Sequence, residues 1–339
     1  MSNDPDPPLH PASRPPIVDP RAAPVPEGTV GVLYIGAIWR SGSTLLDLMI
    51  GQVPGFTAVG ELRQIWQKGC IENRPCGCER PFSECPFWTA VGEEAFGGWS
   101  ALDVRETLRL RRSLDRAAVV PRMILRGGPG RSPDARSYLD ALERLMGAIS
   151  RVSGAAVVVD SSKALGHGLL LRGIPSIDLR LVHLVRDSRG VTHSKQRRVA
   201  KRKREGKVSE DTTVSSRAWA LRWLSYNTAL PRMMPRGAPR ALVRYEDLAV
   251  APAERLAGVL RDAGFVVPPE ALGFVRNDRL QVGENHIVYG NPMRFARGEI
   301  VVRLDEEWKT GMRSRDRRTV TALTFPLLGR YGYPRRMSR

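Results

Sequence analysis

Cysteine is confined to one short stretch: all four lie between Cys70 and Cys85, and the rest of the 339 residues have none. A disulfide framework running through the chain is therefore excluded, and a packed core has to hold the fold. No stretch reaches the roughly 18 apolar residues of a membrane span, and none has the apolar centre of a secretory signal. A soluble, cytoplasmic protein without a membrane span is expected. Acid is also scarce, with 35 Asp+Glu against 53 Lys+Arg and a formal charge of +18. Such a field favours anionic ligands, but nucleic acid, anionic lipid and phosphorylated nucleotides would all profit from it. Aromatic residues are only 6% of the chain, and the densest basic run, KQRRVAKRKREGK at 195–207, contains none. With no nucleic-acid motif beside it, that run reads as a solvated face or mobile loop, or as a gate at a substrate mouth.

What is present supplies a core, since 42% of the residues are hydrophobic. Residues 1–28 stand apart: nine prolines and few large apolar side chains read as a disordered leader, leaving 29–339 as the folded domain. Within it the apolar runs at 30–35, 56–59, 155–159, 179–185 and 241–243 read as buried strands. Residues 103–153 are helical in pattern, with Ser132-Pro133-Asp134 as a start and Gly154 as a stop. Trp219, Trp223 and Tyr226 recur at helical spacing as core residues, and 253–263 is an amphipathic helix stopped by Gly264. Strands and helices in this alternation imply an α/β fold, a three-layer domain whose central parallel sheet is flanked by helices.

The first strand runs into Gly36-Ala37-Ile38-Trp39-Arg40-Ser41-Gly42-Ser43-Thr44-Leu45, a glycine-bracketed loop opening a helix. A helix N-terminus exposes unpaired N–H groups and a positive dipole end, and glycine lets an anion approach them. Ser41, Ser43 and Thr44 add hydroxyls, and Arg40 adds a rigid fork of charge. The nucleotide-triphosphatase loop needs Gly, four residues, Gly-Lys and then Ser or Thr. Here five residues separate Gly36 from Gly42, and Ser43 stands where the lysine would be.

Later strands also end in polar residues, at the edge where parallel sheets gather ligands. The ends are Gly60-Glu61-Leu62-Arg63, Asp160-Ser161-Ser162-Lys163, Arg186-Asp187-Ser188-Arg189 with a helix on to Ser194, and Arg244-Tyr245-Glu246-Asp247-Leu248. A serine two helical turns beyond a strand-end arginine can face the same phosphate, and a dianion rewards such donors. Read alone, Glu61 also fits an exposed carboxylate paired with Arg63, Lys163 a solvated helix-start lysine, and Arg186 a surface arginine.

Together these stretches resemble the sulfotransferases that use 3′-phosphoadenosine 5′-phosphosulfate (PAPS), the Arg-Ser-Gly loop being similar to that of the carbohydrate and protein-tyrosine branches. The resemblance implies a P-loop-like domain akin to nucleotide kinases, with PAPS as co-substrate. It implies that Arg40, Ser41, Gly42, Ser43, Thr44 and Leu45 hold the 5′-phosphosulfate. Arg186 and Ser194 would grip the 3′-phosphate, with Arg189 assisting, Tyr245 beside the adenine and Arg294 on a C-terminal loop closing over both. Glu61 falls where the tyrosine enzymes carry the catalytic base, while Lys163 and Arg40 would stabilise the sulfuryl group and leaving phosphate. His167 is the alternative base, because the phenol and steroid branch uses a histidine. A small-molecule or saccharide acceptor is implied rather than nucleic acid, and its hydroxyl could belong to a saccharide, a phenolic natural product or a lipid. A nucleotide-dependent kinase of the same architecture and a basic nucleic-acid-binding module are the alternatives.

The cysteines fall as Cys70-x5-Cys76-x-Cys78-x6-Cys85, in a Pro- and Gly-rich insert at about 66–98. Thiols this dense can hold structural zinc, form two disulfides, or pack reduced in a capping loop. His167, His183, His193 and His286 each fit core or surface positions.

Overall fold

The computed structural model describes residues 26, 28–130, 132–206 and 215–334. Apart from Pro26 and Gly28, the leader expected over 1–28 lies outside the described residues, as does Lys207 at the end of the basic run. The five apolar runs form strands β1 (Val30–Ala37), β2 (Phe56–Gly60), β3 (Val157–Asp160), β4 (Ile177–Val185) and β5 (Arg240–Arg244). They pair in parallel in the order β2-β3-β1-β4-β5, which puts β1 at the centre. The α/β architecture read from the sequence is the one found.

Parallel strands need long crossovers, and these are helical. Helix α1 (Ser43–Ile50) follows β1, and α2 (Pro86–Phe96), α3 (Val104–Leu114), α4 (Val120–Arg126) and α5 (Pro133–Ser153) separate β2 from β3. Helix α6 (Leu165–Arg172) leads to β4, and α7 (Ser188–Arg204) and α8 (Ser216–Ala229) lead to β5. Helices α9 (Tyr245–Val250) and α10 (Pro252–Asp262) come next. A small antiparallel sheet of β6 (Val275–Arg276), β7 (Arg279–Val282) and β8 (Gly298–Val301) precedes α11 (Trp308–Gly311) and α12 (Ser314–Arg330).

Both faces of the sheet are covered, which is why its strands read as continuous apolar runs. Val32 and Tyr34 of β1 face one core, shared with Trp88 of α2, Leu145 of α5 and Leu170 of α6. Leu33 and Ile35 face the other, with Leu46 of α1 and Leu260 of α10. A third cluster joins Ile38, just past β1, to Val191, Trp223 and Leu328 of α7, α8 and α12. Burying such a side chain is worth about 1.5–3 kcal/mol, so the loop after β1 is anchored at its root.

Several boundaries differ from the sequence reading. Strand β1 continues through Gly36 and Ala37 because Ala37 still pairs with Leu184 of β4, so the loop is shorter than its glycine brackets suggest. The helical stretch 103–153 is three helices, interrupted where α4 ends at Gly127 and α5 restarts at Pro133; Ser132 caps α5 by accepting from Ala135 N–H at 3.1 Å. The basic run is no loop through Arg204: it is the second half of α7, whose amphipathic signal its charges hide.

Candidate active site

At the carboxyl edge of the sheet the segments after β1, β3 and β4 lie side by side. The β1 loop takes a left-handed backbone at Arg40 (φ 76°) and at Gly42 (φ 88°). Glycine adopts that conformation freely, whereas for arginine it costs about 1–2 kcal/mol. Two contacts hold Arg40 there. Its Nε donates to Ser194 Oγ at 3.0 Å, and its carbonyl accepts from Arg186 Nη1 at 2.9 Å. The loop and the Arg186–Ser194 couple, far apart in sequence, thus form one bonded unit.

Gly42 is also required for space, since a Cβ there would lie 2.6 Å from Tyr245 Cδ2. The Tyr245 ring packs on the loop on one side and under the Arg186 guanidinium on the other, 4.5 Å from its centroid. Its hydroxyl donates to Arg303 O at 3.2 Å and accepts from Asp305 N–H at 3.1 Å. Past Gly42, helix α1 opens with Leu45 and Leu46 N–H bonded to the Gly42 carbonyl, so the N–H groups before them are its free end. The Leu45 side chain is buried in the core and its N–H is taken by Gly42, so the donors of this loop lie before it.

Arg186 is buried, and its Nη2 bonds both the Asp305 carbonyl (2.8 Å) and carboxylate (2.9 Å). Burial, reinforced by Arg198 and Arg186, lowers the Arg40 pKa from its ordinary value. Burial followed by Arg197 does the same for His193. Such mutual repulsion is relieved by an anion. Ser41 Oγ and Arg186 Nε are buried and have no hydrogen-bond partner among the described residues. With Arg40 and Arg186 beside the N-terminus of α1, the residues present fit a phosphate-bearing anion. Arg189 is fully buried and paired with Asp187, at 2.9 Å from Nε and 2.6 Å from Nη2, where it supports the N-cap of α7, while its Nη1 has no hydrogen-bond partner among the described residues.

On the β2 side, Lys163 Nζ lies 2.8 Å from Glu61 Oε1. The sequence allowed Glu61 to pair with Arg63 instead, but Arg63 is engaged by the buried Asp115. Lys163 is only 5% exposed and also has a left-handed backbone (φ 63°), so it is no solvated lysine. Glu61 is held from below by its own N–H, which donates to Tyr289 O at 2.9 Å, and Gly290 passes beside the Thr44 hydroxyl. One segment therefore connects the carboxylate to α1. Behind Lys163, His167 is fully buried with Nε2 2.8 Å from Asp160 Oδ2. It belongs to the core beneath the site, with no face for an acceptor.

Sequence reasoning missed three residues here. Asp47 of α1 is buried, neither carboxylate oxygen makes a well-formed hydrogen bond among the described residues, and burial, opposed by Lys163 and the neighbouring Ser161, pushes its carboxyl well up. Asp305 occupies Arg186; its signal was an acidic run in an acid-poor chain. Trp39 is 46% exposed beside Arg40, edge-on to Trp219 at 6.4 Å with the Arg222 guanidinium 5.3 Å from each ring. The expected loop arginine sits elsewhere: Arg294 bonds Gly290 O (3.1 Å) and Pro75 O (3.4 Å), while residues 303–305 close on Arg186.

The cysteine set also changes. All four cysteines are free, so of the alternatives the sequence left open the pair of disulfides is not the one found. Cys76, Cys78 and Cys85 cluster with His286, while Cys70 packs separately against the core, its thiol pushed up to about 12 by burial.

No family model matches the chain, and no curated protein matches it in sequence. Among solved structures it is similar to the sulfotransferase domain of the Synechococcus PCC 7002 olefin synthase, at 17% identity and TM-score 0.52, over 90% of this chain and 96% of that one. It is also similar to the sulfotransferase domain from the curacin biosynthetic pathway, at 18% identity and TM-score 0.45, over 90% and 98% of the two chains. A third is sulfotransferase STF1 from Mycobacterium tuberculosis H37Rv, at 16% identity and TM-score 0.41, over 72% and 70%. The olefin synthase likeness shows the fold: a helix-flanked parallel sheet shared with a sulfotransferase domain.

Proposed function

We propose that the chain is a sulfotransferase that moves a sulfuryl group from PAPS to an acceptor hydroxyl on a saccharide, a phenolic natural product or a lipid. The observation that carries this reading is the bonded unit of Arg40, Ser194 and Arg186. It sets a helix N-terminus beside a strand-end cation, as two phosphates on one adenosine require. The orphaned Ser41 Oγ and Arg186 Nε and the crowding of cations support an anionic ligand of this kind. The shared fold is compatible with it.

In this reading the backbone and hydroxyls of 41–45 take the 5′-phosphosulfate, and Arg186 and Ser194 take the 3′-phosphate. Tyr245 supports the nucleotide from the loop side. Arg294 would have to leave Gly290 and Pro75 to reach it, so residues 303–305 are better placed to close the site. The acceptor oxygen attacks sulfur as the sulfur–oxygen bond to the 5′-phosphate breaks. The acceptor proton passes to Glu61, and 3′,5′-bisphosphoadenosine leaves. Lys163 and Arg40 face the charge that gathers on the sulfuryl and phosphate oxygens. Such a transfer needs alignment and preorganised charge more than covalent help.

The test is to offer PAPS labelled in its sulfur together with panels of saccharide, phenolic and lipid hydroxyls. Label on an acceptor, with stoichiometric release of 3′,5′-bisphosphoadenosine, is the expected outcome. Magnesium-dependent transfer from ATP, with no transfer from PAPS, would replace this reading with a kinase.

A further inference from the structure

Cys76 Sγ, Cys78 Sγ, Cys85 Sγ and His286 Nδ1 all lie within 4.8 Å of one another. Four of the separations are 3.4–3.8 Å: Cys78 to Cys85 3.5 Å, Cys76 to Cys85 3.6 Å, Cys76 to His286 3.8 Å and Cys85 to His286 3.4 Å. A tetrahedral zinc ion, with Zn–S near ~2.3 Å and Zn–N near ~2.0–2.1 Å, sets its ligands roughly 3.5–3.8 Å apart. A disulfide would instead draw one sulfur pair to about 2.05 Å and leave the third thiol and the imidazole without purpose. We propose that Cys76, Cys78, Cys85 and His286 bind one structural zinc ion, and that this ion clasps the cysteine-rich insert to the strand segment that holds Glu61.

The surroundings are built for such a site. The three thiols are buried, and the His286 ring lies flat on Phe87, with centroids 4.8 Å apart and planes 7° from parallel, which fixes the direction of Nδ1. The His286 carbonyl accepts from Trp88 Nε1 at 2.9 Å. Around the first two cysteines the chain makes a tight knuckle, with Cys76 N–H donating to Arg80 O at 2.9 Å and Glu79 N–H to Cys76 O at 2.8 Å. Gly77 lies between them because a Cβ there would overlap the Asn285 side-chain oxygen; its N–H donates to Ile287 O at 2.9 Å. Four protein ligands complete the shell, which leaves no open position for catalysis and makes the ion structural.

The clasp has a direction. His286 is three residues before Tyr289, whose carbonyl receives the Glu61 N–H, and Val288 N–H donates to Val59 O at 3.0 Å. Removing the ion takes the His286 ring off the thiols, leaving the Trp88 and Gly77 hydrogen bonds as the remaining ties to the insert, and so loosens the segment beneath Glu61, while the β1 loop, anchored in a different cluster, is left in place. The zinc site stands on its own geometry and does not depend on PAPS chemistry.

Elemental analysis of the purified full-length chain tests the site, with about one zinc per chain expected, retained in Cys70→Ser and His286→Cys and lost in Cys85→Ser and His286→Ala. Because Cys85→Ser could unfold, wild-type protein exchanged with cobalt gives a second readout: intense thiolate-to-cobalt charge transfer with the visible bands of a tetrahedral ion. Hydrogen exchange supplies the third, with the Val288 and Glu61 amides exchanging faster on chelation and those of residues 45–46 unchanged. Folded wild-type protein that holds no zinc after dialysis against it and titrates four free thiols overturns the proposal, as does zinc content unchanged in His286→Ala. Exchange at Val288 and Glu61 unmoved by chelation overturns the clasp. None of these readouts involves nucleotide or transfer, so they fail or succeed apart from the sulfotransferase reading.

Discussion

Arg40 Nε donates to Ser194 Oγ at 3.0 Å, joining a strained loop residue to a helix 154 positions later in the chain. In the proposed function both groups face the same anion, and each holds the other in position for it. Ser194→Ala is expected to weaken 3′,5′-bisphosphoadenosine binding roughly tenfold, and Arg40→Ala roughly ten- to a hundredfold, in line with charge-assisted hydrogen bonds of about 1.5–3 kcal/mol. Because the two touch, the double variant should lose less than the product of the single losses. Titration calorimetry on the four proteins measures this, and strict additivity would mean that the contact is idle.

Glu61 and Lys163 form a second couple, at 2.8 Å. Glu61→Gln removes a proton acceptor while keeping shape, so nucleotide affinity should hold while turnover of PAPS falls roughly 10²–10⁴-fold, the usual worth of a general base. Lys163→Met should lower turnover as well, without shifting nucleotide affinity by more than a fewfold. Binding and turnover assays on each variant decide it; full turnover in Glu61→Gln would assign the proton to another group.

Asp305 keeps its carboxylate 2.9 Å from Arg186 Nη2, where a phosphate would also bind. Binding therefore exchanges one anion for another, and removing the first should help. Asp305→Asn is expected to tighten 3′,5′-bisphosphoadenosine binding roughly three- to tenfold, since a buried charged group left unpaired favours any new partner. Weaker binding in this variant would show that the carboxylate orders the 303–305 segment over the ligand instead.

His183 of β4 is buried against Asn227 Oδ1 (2.8 Å), and burial lowers its pKa to about 4. The unfolded chain protonates the same imidazole near ~6.5, so below that pH it binds the extra proton and the folded state does not. The contribution is fully present above about 6.5 and is lost as pH falls towards 4, on the order of 3 kcal/mol in all. Urea unfolding between these limits should show stability falling in wild type along a steeper slope than in His183→Gln. Equal slopes in both would contradict the burial of a neutral ring.

Legibility in the sequence followed the range of the interaction. The β1 loop, Glu61, Lys163, Arg186 and Ser194 could be named because each is marked by a local transition from an apolar strand to polar residues, and parallel strands bring such ends to one edge. Relations made by the chain's return could not be read. Asp305 reaches Arg186 across 119 positions, Tyr289 supports Glu61 from another segment, and His286 joins cysteines 201 positions or more before it, displacing Cys70. Arg294 fits a loop arginine in sequence, yet its position is set by Gly290 and Pro75. In α7 the helix read as far as Ser194 was legible, and the dense charge run after it concealed the continuation to Arg204.

The claim at the centre is that Arg186 with Ser194 and the β1 loop hold opposite phosphates of one adenosine. Calorimetric titration of wild type and Arg186→Ala with 3′,5′-bisphosphoadenosine and with adenosine 5′-monophosphate tests it directly. The expected result is that wild type prefers the bisphosphate by roughly a hundredfold or more, and that Arg186→Ala abolishes the preference while weakening the monophosphate only a fewfold, through the lost bond to the Arg40 carbonyl. A preference that survives in Arg186→Ala, or equal losses for both ligands, would contradict the account.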